Sequence, residues 1–251
     1  MFFYLIIKPF ISNHDWLNLT ITNKDFNHVR KHTIYVKLSY YYSKKYINDN
    51  DFFNLINNII YNPLTQLSLS FYRITFTNLD IINNINSLEF NYCYGINDIS
   101  LFNNCYHLKF NCNVYNNSNI YFHNLISLEL NSCPGITDLS PFTNVSHLVI
   151  SFNSNIINNN LYFKNLKSLN LNACRSITDL SPFINVSNLT LSFLEIQKLP
   201  YFPNLEKIEI AHCNELKYIN SLKINKLKLL NIKYCDKIKT ISHITKFNLL
   251  L

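Results

Sequence analysis

Apolar and polar residues alternate in short bursts that recur nine times between Leu67 and Ile232. Each burst reads as an apolar residue, two variable ones, then Leu/Ile-x-Leu/Phe/Ile. Its second apolar position falls at Leu67, Leu88, Leu108, Leu128, Leu148, Leu169, Leu189, Ile208 and Leu230. Successive gaps are 21, 20, 20, 20, 21, 20, 19 and 22 residues. Period-two alternation marks a strand with one face in a core. Its return at a nearly fixed interval predicts a stack of short parallel strands, in which each unit buries its neighbour's apolar face.

The better-formed repeats carry the pattern past the strand. After Leu128, inward positions follow at Leu130, Cys133, Ile136, Leu139 and Phe142, and Val145 opens the next unit. After Leu169 the matching residues are Leu171, Cys174, Ile177, Leu180 and Phe183, ending at Val186. This later spacing of three predicts a 3₁₀ or irregular return with one residue per turn pointing inward. Asp138-Leu-Ser-Pro141 and Asp179-Leu-Ser-Pro182 add turn residues, with proline expected to stop a helix before it starts. The Leu88, Ile208 and Leu230 repeats share the spacing, whereas Leu108, Leu148 and Leu189 keep the strand and lose much of the return.

A period of about 20–29 built on L-x-x-L-x-L resembles the leucine-rich-repeat signature. The fold class that follows is α/β: a leucine-rich-repeat solenoid over 63–251, with a parallel sheet on its concave face, behind a small helical N-terminal cap over 1–62. A cap is expected because solenoid ends must be shielded. In the first segment, Asp15 can cap a helix bearing Trp16, Leu19 and Phe26. Residues 33–38 read as a strand, the stretch after them as a Tyr/Lys-rich link, and 51–61 as an apolar helix.

Apolar residues make up 48% of the chain, enough to supply one continuous core. Asn, Ile, Lys, Tyr and Phe are heavily used and Arg is nearly absent, a bias that points to an A/T-rich genome. The net charge of +7 lies largely in late lysines: Lys217, Lys223, Lys226, Lys228, Lys233, Lys237, Lys239 and Lys246 face only Asp236 in that stretch. A polyanion-binding end is conceivable, but Lys is this chain's common solvated residue and Arg, which favours phosphate forks, is missing. Nucleic acid is therefore not an expected partner. No apolar run is long enough to span a bilayer. The opening residues lack the basic and small-residue features of a signal peptide, so a cytoplasmic location is expected.

Seven cysteines invite a metal or disulfide reading. Five (Cys93, Cys133, Cys174, Cys213 and Cys235) occupy one repeat position, where Asn or Cys caps buried backbone groups. Cys105 takes an apolar slot. Cysteines in alternate coils lie about 9–10 Å apart, too far to bridge, so only Cys213 and Cys235 could approach. No C-x-x-C or metal spacing occurs, and neither a metal nor a cofactor is expected.

The outward strand residues form the candidate partner surface: Glu89, Asn91, His107, Lys109, Asn111, Glu129, Asn131, His147, Asn170 and Asn172. Glu89, Lys109 and Glu129 alternate in sign on adjacent strands, which favours a cross-strand charge ladder. No nucleophile–base or carboxylate pair converges on this face, so a non-enzymatic, protein-binding role is expected. Loop tyrosines Tyr92, Tyr94, Tyr115 and Tyr234 compete with it, because binding hot spots favour Trp, Tyr and Arg.

Residues 15–26, Asp-Trp-Leu-Asn-Leu-Thr-Ile-Thr-Asn-Lys-Asp-Phe, resemble the second half of an F-box, with Asp15, Leu17, Leu19, Ile21, Lys24 and Phe26 in the matching places. Leu5, Ile6, Phe10 and Ile11 resemble its preceding helix, while its opening L-P-x-E has no counterpart here. C-x-x-I-T-D-L at 133–139 and at 174–180 is similar to the cysteine-containing repeats found behind F-boxes, although their period is longer. Asp-Leu-Ser-Pro-Phe looks equally like an internalin-type repeat. The whole chain most resembles leucine-rich-repeat families of entomopoxviruses and other large A/T-rich DNA viruses. That resemblance implies a host-interacting binding protein in the host cytoplasm. It could be the substrate-recruiting subunit of a cullin–RING ubiquitin ligase, held to its adaptor by Leu5, Phe10, Leu17, Leu19 and Phe26, or a free-standing binding or decoy protein.

Overall fold

The structure, a computed structural model, describes residues 3–6, 34–60, 65–111, 121–157, 161–219 and 226–238. Eleven parallel strands form one sheet, ordered as they occur in the chain. They are β1 (Phe3–Ile6), β2 (Ile34–Leu38), β3 (Thr65–Tyr72), β4 (Ser87–Asn91), β5 (His107–Asn111) and β6 (Ser127–Asn131). The series continues with β7 (His147–Ser151), β8 (Ser168–Asn172), β9 (Asn188–Ser192), β10 (Lys207–Ala211) and β11 (Leu229–Lys233). Two helices, α1 (Tyr40–Asn48) and α2 (Asn50–Ile60), stand between β2 and β3. The repeats thus wind into a solenoid whose strands stack without crossover.

From β4 onward the strand register matches the sequence spacing. Leu88, Leu108, Leu128, Leu148, Leu169, Leu189, Ile208 and Leu230 are consecutive ladder partners. In β6, Leu128 and Leu130 are fully buried while the residues between and beside them are half exposed. The first repeat departs from the expectation. Leu88 pairs with Leu69, not Leu67, so β3 is shifted by two residues. Period-two patterning cannot separate registers that differ by two, because each keeps the same faces buried. In the shifted register Phe71 stacks on Phe90 with ring centroids 5.7 Å apart and 20° between planes, and Phe76 packs edge-on against both.

The N-terminal segment also differs from its sequence reading. Leu5 and Ile6, expected in a helix, lie in strand β1, paired in parallel with Val36 and Lys37 of β2. The expected link after β2 is helix α1. Its Ser43 and Tyr46, three apart and on one face, are buried, and the Tyr46 hydroxyl donates to Asn57 Oδ1 at 2.9 Å. Ser43 has a specific task. Strand β2 ends at Leu38, opposite Leu69, so the next ladder N–H on β3 has no strand to meet. The Ser43 hydroxyl accepts from Ser70 N at 2.9 Å and donates to Leu38 O at 3.3 Å. The helix at 15–26 and its Asp15 cap lie outside the described residues.

The returns are built as the spacing of three implies. Single 3₁₀ turns occupy Asp80–Ile82, Ser100–Phe102, Ser140–Phe142 and Ser181–Phe183, each with its last residue buried. Asp138 Oδ1 accepts from Ser140 N at 2.8 Å and Asp179 Oδ1 from Ser181 N at 2.9 Å, fixing each turn's start. Pro141 and Pro182 open these turns rather than forbidding them, because the first turn needs no N–H from that residue. Phe122 stacks on Phe142 at 5.1 Å, and Phe163 meets Phe183 in a tilted contact at 5.0 Å.

Cysteine position by position behaves as a backbone cap. Cys93, Cys133, Cys174, Cys213 and Cys235 are buried, and their Sγ atoms lie 3.3–3.5 Å from the carbonyls of Asn91, Asn131, Asn172, Ala211 and Lys233. In the coil after β7 the same slot holds Asn153, which accepts from Cys133 N at 2.7 Å and donates to Leu130 O at 3.3 Å. The six described cysteines are all free thiols.

Two substitutions test this core. Leu128→Asp places an unpaired carboxylate at a fully buried position, and loss of a cooperative melt is expected; a near-wild-type melt would refute the register. Asn153→Ala removes two buried hydrogen bonds, from Cys133 N and to Leu130 O, which should cost about 1–3 kcal/mol in urea titration.

Candidate functional site

The ten outward residues singled out by the sequence fall in three columns across the sheet. His107 and His147 lie in the first, separated by Ser127. Glu89, Lys109, Glu129 and, after Val149, Asn170 lie in the second. Asn91, Asn111, Asn131 and, after Ser151, Asn172 lie in the third. The Lys109 ammonium sits 2.8 Å from Glu129 and 3.8 Å from Glu89, so the alternating charges form a bridged ladder. Side-chain amides chain together in the third column: Asn131 Nδ2 donates to Asn111 Oδ1 at 3.1 Å, and Asn111 Nδ2 to Asn91 Oδ1 at 3.4 Å.

At the β4 end this face is committed to internal contacts. Glu89 accepts from Ser70 Oγ at 2.9 Å and from Asn91 Nδ2 at 3.1 Å. The start of α1 leans over it, Asn91 Nδ2 donating to the Tyr40 hydroxyl at 3.2 Å, and Asn91 is only 6% exposed. Burial pushes the Glu89 carboxyl up, but hydrogen bonds from Asn91 and Ser70 and the Lys109 charge outweigh it and hold the group below its ordinary value. Burial and the neighbouring His147 together push the His107 imidazole down. Of the adaptor-binding candidates, Leu5 has its backbone in β1, and Phe10, Leu17, Leu19 and Phe26 lie outside the described residues.

A second surface, along the C-terminal rim of the sheet, is more apolar. The residue just after each of β3, β4 and β6 to β11 adopts left-handed backbone: Arg73, Tyr92, Ser132, Phe152, Ala173, Phe193, His212 and Tyr234, with φ between 52° and 55°. The cause is the inter-coil ladder. In this conformation each N–H reaches the last strand carbonyl of the next coil, as from Tyr92 to Asn111, Phe152 to Asn172, Phe193 to Ala211 and His212 to Lys233, at 2.7–3.1 Å. Non-glycine residues give up roughly 1–2 kcal/mol to sit there, and Gly or Asn would be cheaper. Yet four of the eight positions carry Tyr or Phe, each more than half exposed. Phe193 stacks on His212 at 4.5 Å and His212 on Tyr234 at 4.7 Å, with ring planes within 13° of parallel. Tyr92, Tyr94 and Phe152 line a depression of about 410 Å³ together with Asn111, Asn131 and Ser132.

The sequence reading singled out Tyr92, Tyr94 and Tyr234 but passed over Phe152, Phe193 and His212; Tyr115 lies outside the described residues. The available signal was an aromatic residue immediately after the last strand column, at one fixed repeat position. Three of the late lysines are engaged within the solenoid. Lys228 pairs with Glu206 of the preceding coil at 2.7 Å, Lys237 with Glu215 at 2.5 Å, and Lys226 donates to Pro203 O. Among the described residues no three His, Cys, Asp or Glu side chains group as metal ligands, and no helix is long and apolar enough to cross a membrane.

No protein-family model matches the chain, and no curated protein or solved structure matches it.

The Glu89 network predicts an acid-sensitive sheet face. A carboxyl held low in the folded state adds stability above its unfolded pKa, and loses it as pH falls through the folded value. His107, whose folded pKa is also depressed, acts in the same direction below about pH 6.5. Urea midpoints of the wild type should therefore fall on acidification. Glu89→Gln should lower stability at pH 7 by about 1 kcal/mol and flatten the steepest, most acidic part of that profile. An unchanged slope would disconnect Glu89 from it.

Proposed function

We propose that the chain is a non-enzymatic protein-binding module of the leucine-rich-repeat type, with α1 and α2 serving as the small helical N-terminal cap. The observation that carries this reading is the recurrence of exposed Tyr and Phe at the left-handed rim positions. Aromatic rings there cost conformational energy, stay in water and contribute little to the core, so beyond stacking between neighbouring rings the fold gains little from them. A bound partner does gain: rings that are already held in place bury large area with little further loss of entropy. The polar sheet face beside the rim, away from its internally committed β4 end, would supply the hydrogen-bonding border of the same contact.

Three of the buried thiols fit the same reading. The buried Cys93, Cys105 and Cys174 thiols are all pushed up by burial, Cys105 to about 12, which makes them poor nucleophiles at neutral pH. Recruitment to a ubiquitin ligase through residues 5–26 is a narrower form of the proposal. It draws its support from the sequence resemblance; in the structure, the described part of that segment is the extended strand β1.

Proximity labelling in the native host cell would identify the bound protein, and purified wild type should then bind it directly. Phe152→Ala or Phe193→Ala should weaken that binding about thirtyfold, the loss of one hot spot, with the melt unchanged. If Asn131→Ala or Asn170→Ala abolishes binding while both rim variants retain it, the contact is the sheet face and the rim assignment fails. Pull-down with the ligase adaptor tests the narrower form: no capture by the full chain would remove it and leave a free-standing binding protein.

A further inference from the structure

Cys213 and Cys235 each follow their strands, β10 and β11, by two residues. The register that pairs Ala211 with Lys233 therefore sets the two cysteines side by side on consecutive coils. Both are buried, at 0% and 1% exposure, and their side chains are hydrogen-bonded to one another. Elsewhere in this column, among the described residues, cysteines are kept apart. Asn153 stands between Cys133 and Cys174, and Leu194 between Cys174 and Cys213. In-register parallel strands are about 4.8 Å apart, and a disulfide accepts Cα separations of roughly 4.4–6.8 Å, so this pair can be bridged without moving the ladder.

We infer that Cys213 and Cys235 form an oxidisable dithiol, which a hydroperoxide converts reversibly into a disulfide joining the β10 and β11 coils. The two sulfurs have distinct roles. The hydrogen bond between the two thiols favours ionisation of Cys235 and disfavours that of Cys213. Cys235 is thus the thiolate that reacts first. Its sulfur attacks the terminal peroxide oxygen and the O–O bond breaks. Cys235 becomes a sulfenic acid, while the departing alkoxide takes up the proton lost when the thiol ionised. The Cys213 sulfur then displaces hydroxide from the sulfenic sulfur; the S–S bond forms, and the hydroxide leaves as water with the Cys213 proton. Two thiols and one hydroperoxide give one disulfide, one alcohol and one water, and the two electrons go to the O–O bond.

Position makes the reaction selective. In the described column Cys174 has Asn153 and Leu194, not cysteine, on its neighbouring coils, and burial raises Cys93, Cys105 and Cys174. Both sulfurs are buried, so a small peroxide reaches them through local opening of the β10 and β11 coils. The bond would pin that opening, because it removes freedom from the unfolded coil.

The test is hydrogen peroxide added to the reduced full chain, followed by a non-reducing tryptic map. The expected product is a linked pair of peptides, 208–217 with 234–237, lighter by two hydrogens, released by dithiothreitol and accompanied by a higher melting temperature. Cys213→Ala should stop at a sulfenic acid on Cys235 that dimedone traps, whereas Cys235→Ala should give no dimedone adduct on Cys213. The wild-type map decides the pairing even if neither variant folds. Bridging through any other cysteine overturns the inference, as does survival of both thiols at peroxide levels that oxidise Met1.

Discussion

Among the described residues, the coils from β3 to β11 are held to one another by backbone hydrogen bonds that extend beyond the strands. Before the strands, Ile126 N donates to Tyr106 O, Ser146 to Ile126, Lys167 to Ser146, Ser187 to Lys167, Glu206 to Ser187 and Lys228 to Glu206. After the strands, the left-handed residues continue the series from Tyr92 through His212. A single coil has too little apolar surface to fold alone, so burial of Leu128 or Leu169 counts only once the neighbouring coils are in register. The ladder fixes that register. It also explains the side chains that terminate or patch it: Ser43 where β2 stops short, Asn153 in a cysteine slot, and the cysteine thiols against strand-end carbonyls.

The repeated part of this arrangement was legible in the sequence because its cause is periodic. Leucine at one slot, cysteine at another and phenylalanine at the end of the return each answer a packing demand that recurs with every coil. The departures lie where periodicity carries no information. Leu67, Leu69 and Phe71 satisfy alternation equally well in two registers, and ring packing between Phe71, Phe76 and Phe90 selects the one observed. Helix α1 looks like a polar link because its buried face is small, being Ser43 and Tyr46 over the β2–β3 edge. Strand β1 is too short to show a pattern of its own, and it belongs to the sheet only through its pairing with β2.

The candidate surface was half legible for a related reason. Outward strand positions are given by parity, so the Glu89–Lys109–Glu129 ladder could be read from spacing alone. Which of them remain free to meet a partner depends on tertiary neighbours. Tyr40 of α1 covers Asn91, and Ser70 shares Glu89, so this end of the face stabilises the sheet instead of presenting groups to solvent. The rim aromatics were less visible because they follow the strand instead of lying in it. Their significance comes from backbone geometry: left-handed φ at a bulky, exposed side chain is strain that the core does not require.

Strain and order are thus separated across one short stretch of every coil. The strand is relaxed and buries its leucines; the next residue is strained and points outward; the one after it is buried again, as Cys93, Cys133, Cys174, Cys213 or Cys235. The outward residue is clamped on one side by its N–H bond to the next coil and on the other by the cap that follows. A ring held this way cannot collapse onto the core, and in Phe193, His212 and Tyr234 it meets the ring of the adjacent coil at nearly the strand spacing. The ladder that stabilises the solenoid is therefore also what holds an apolar ridge in water, and the thiol pair beneath His212 and Tyr234 sits where tightening the coils would make that ridge more rigid.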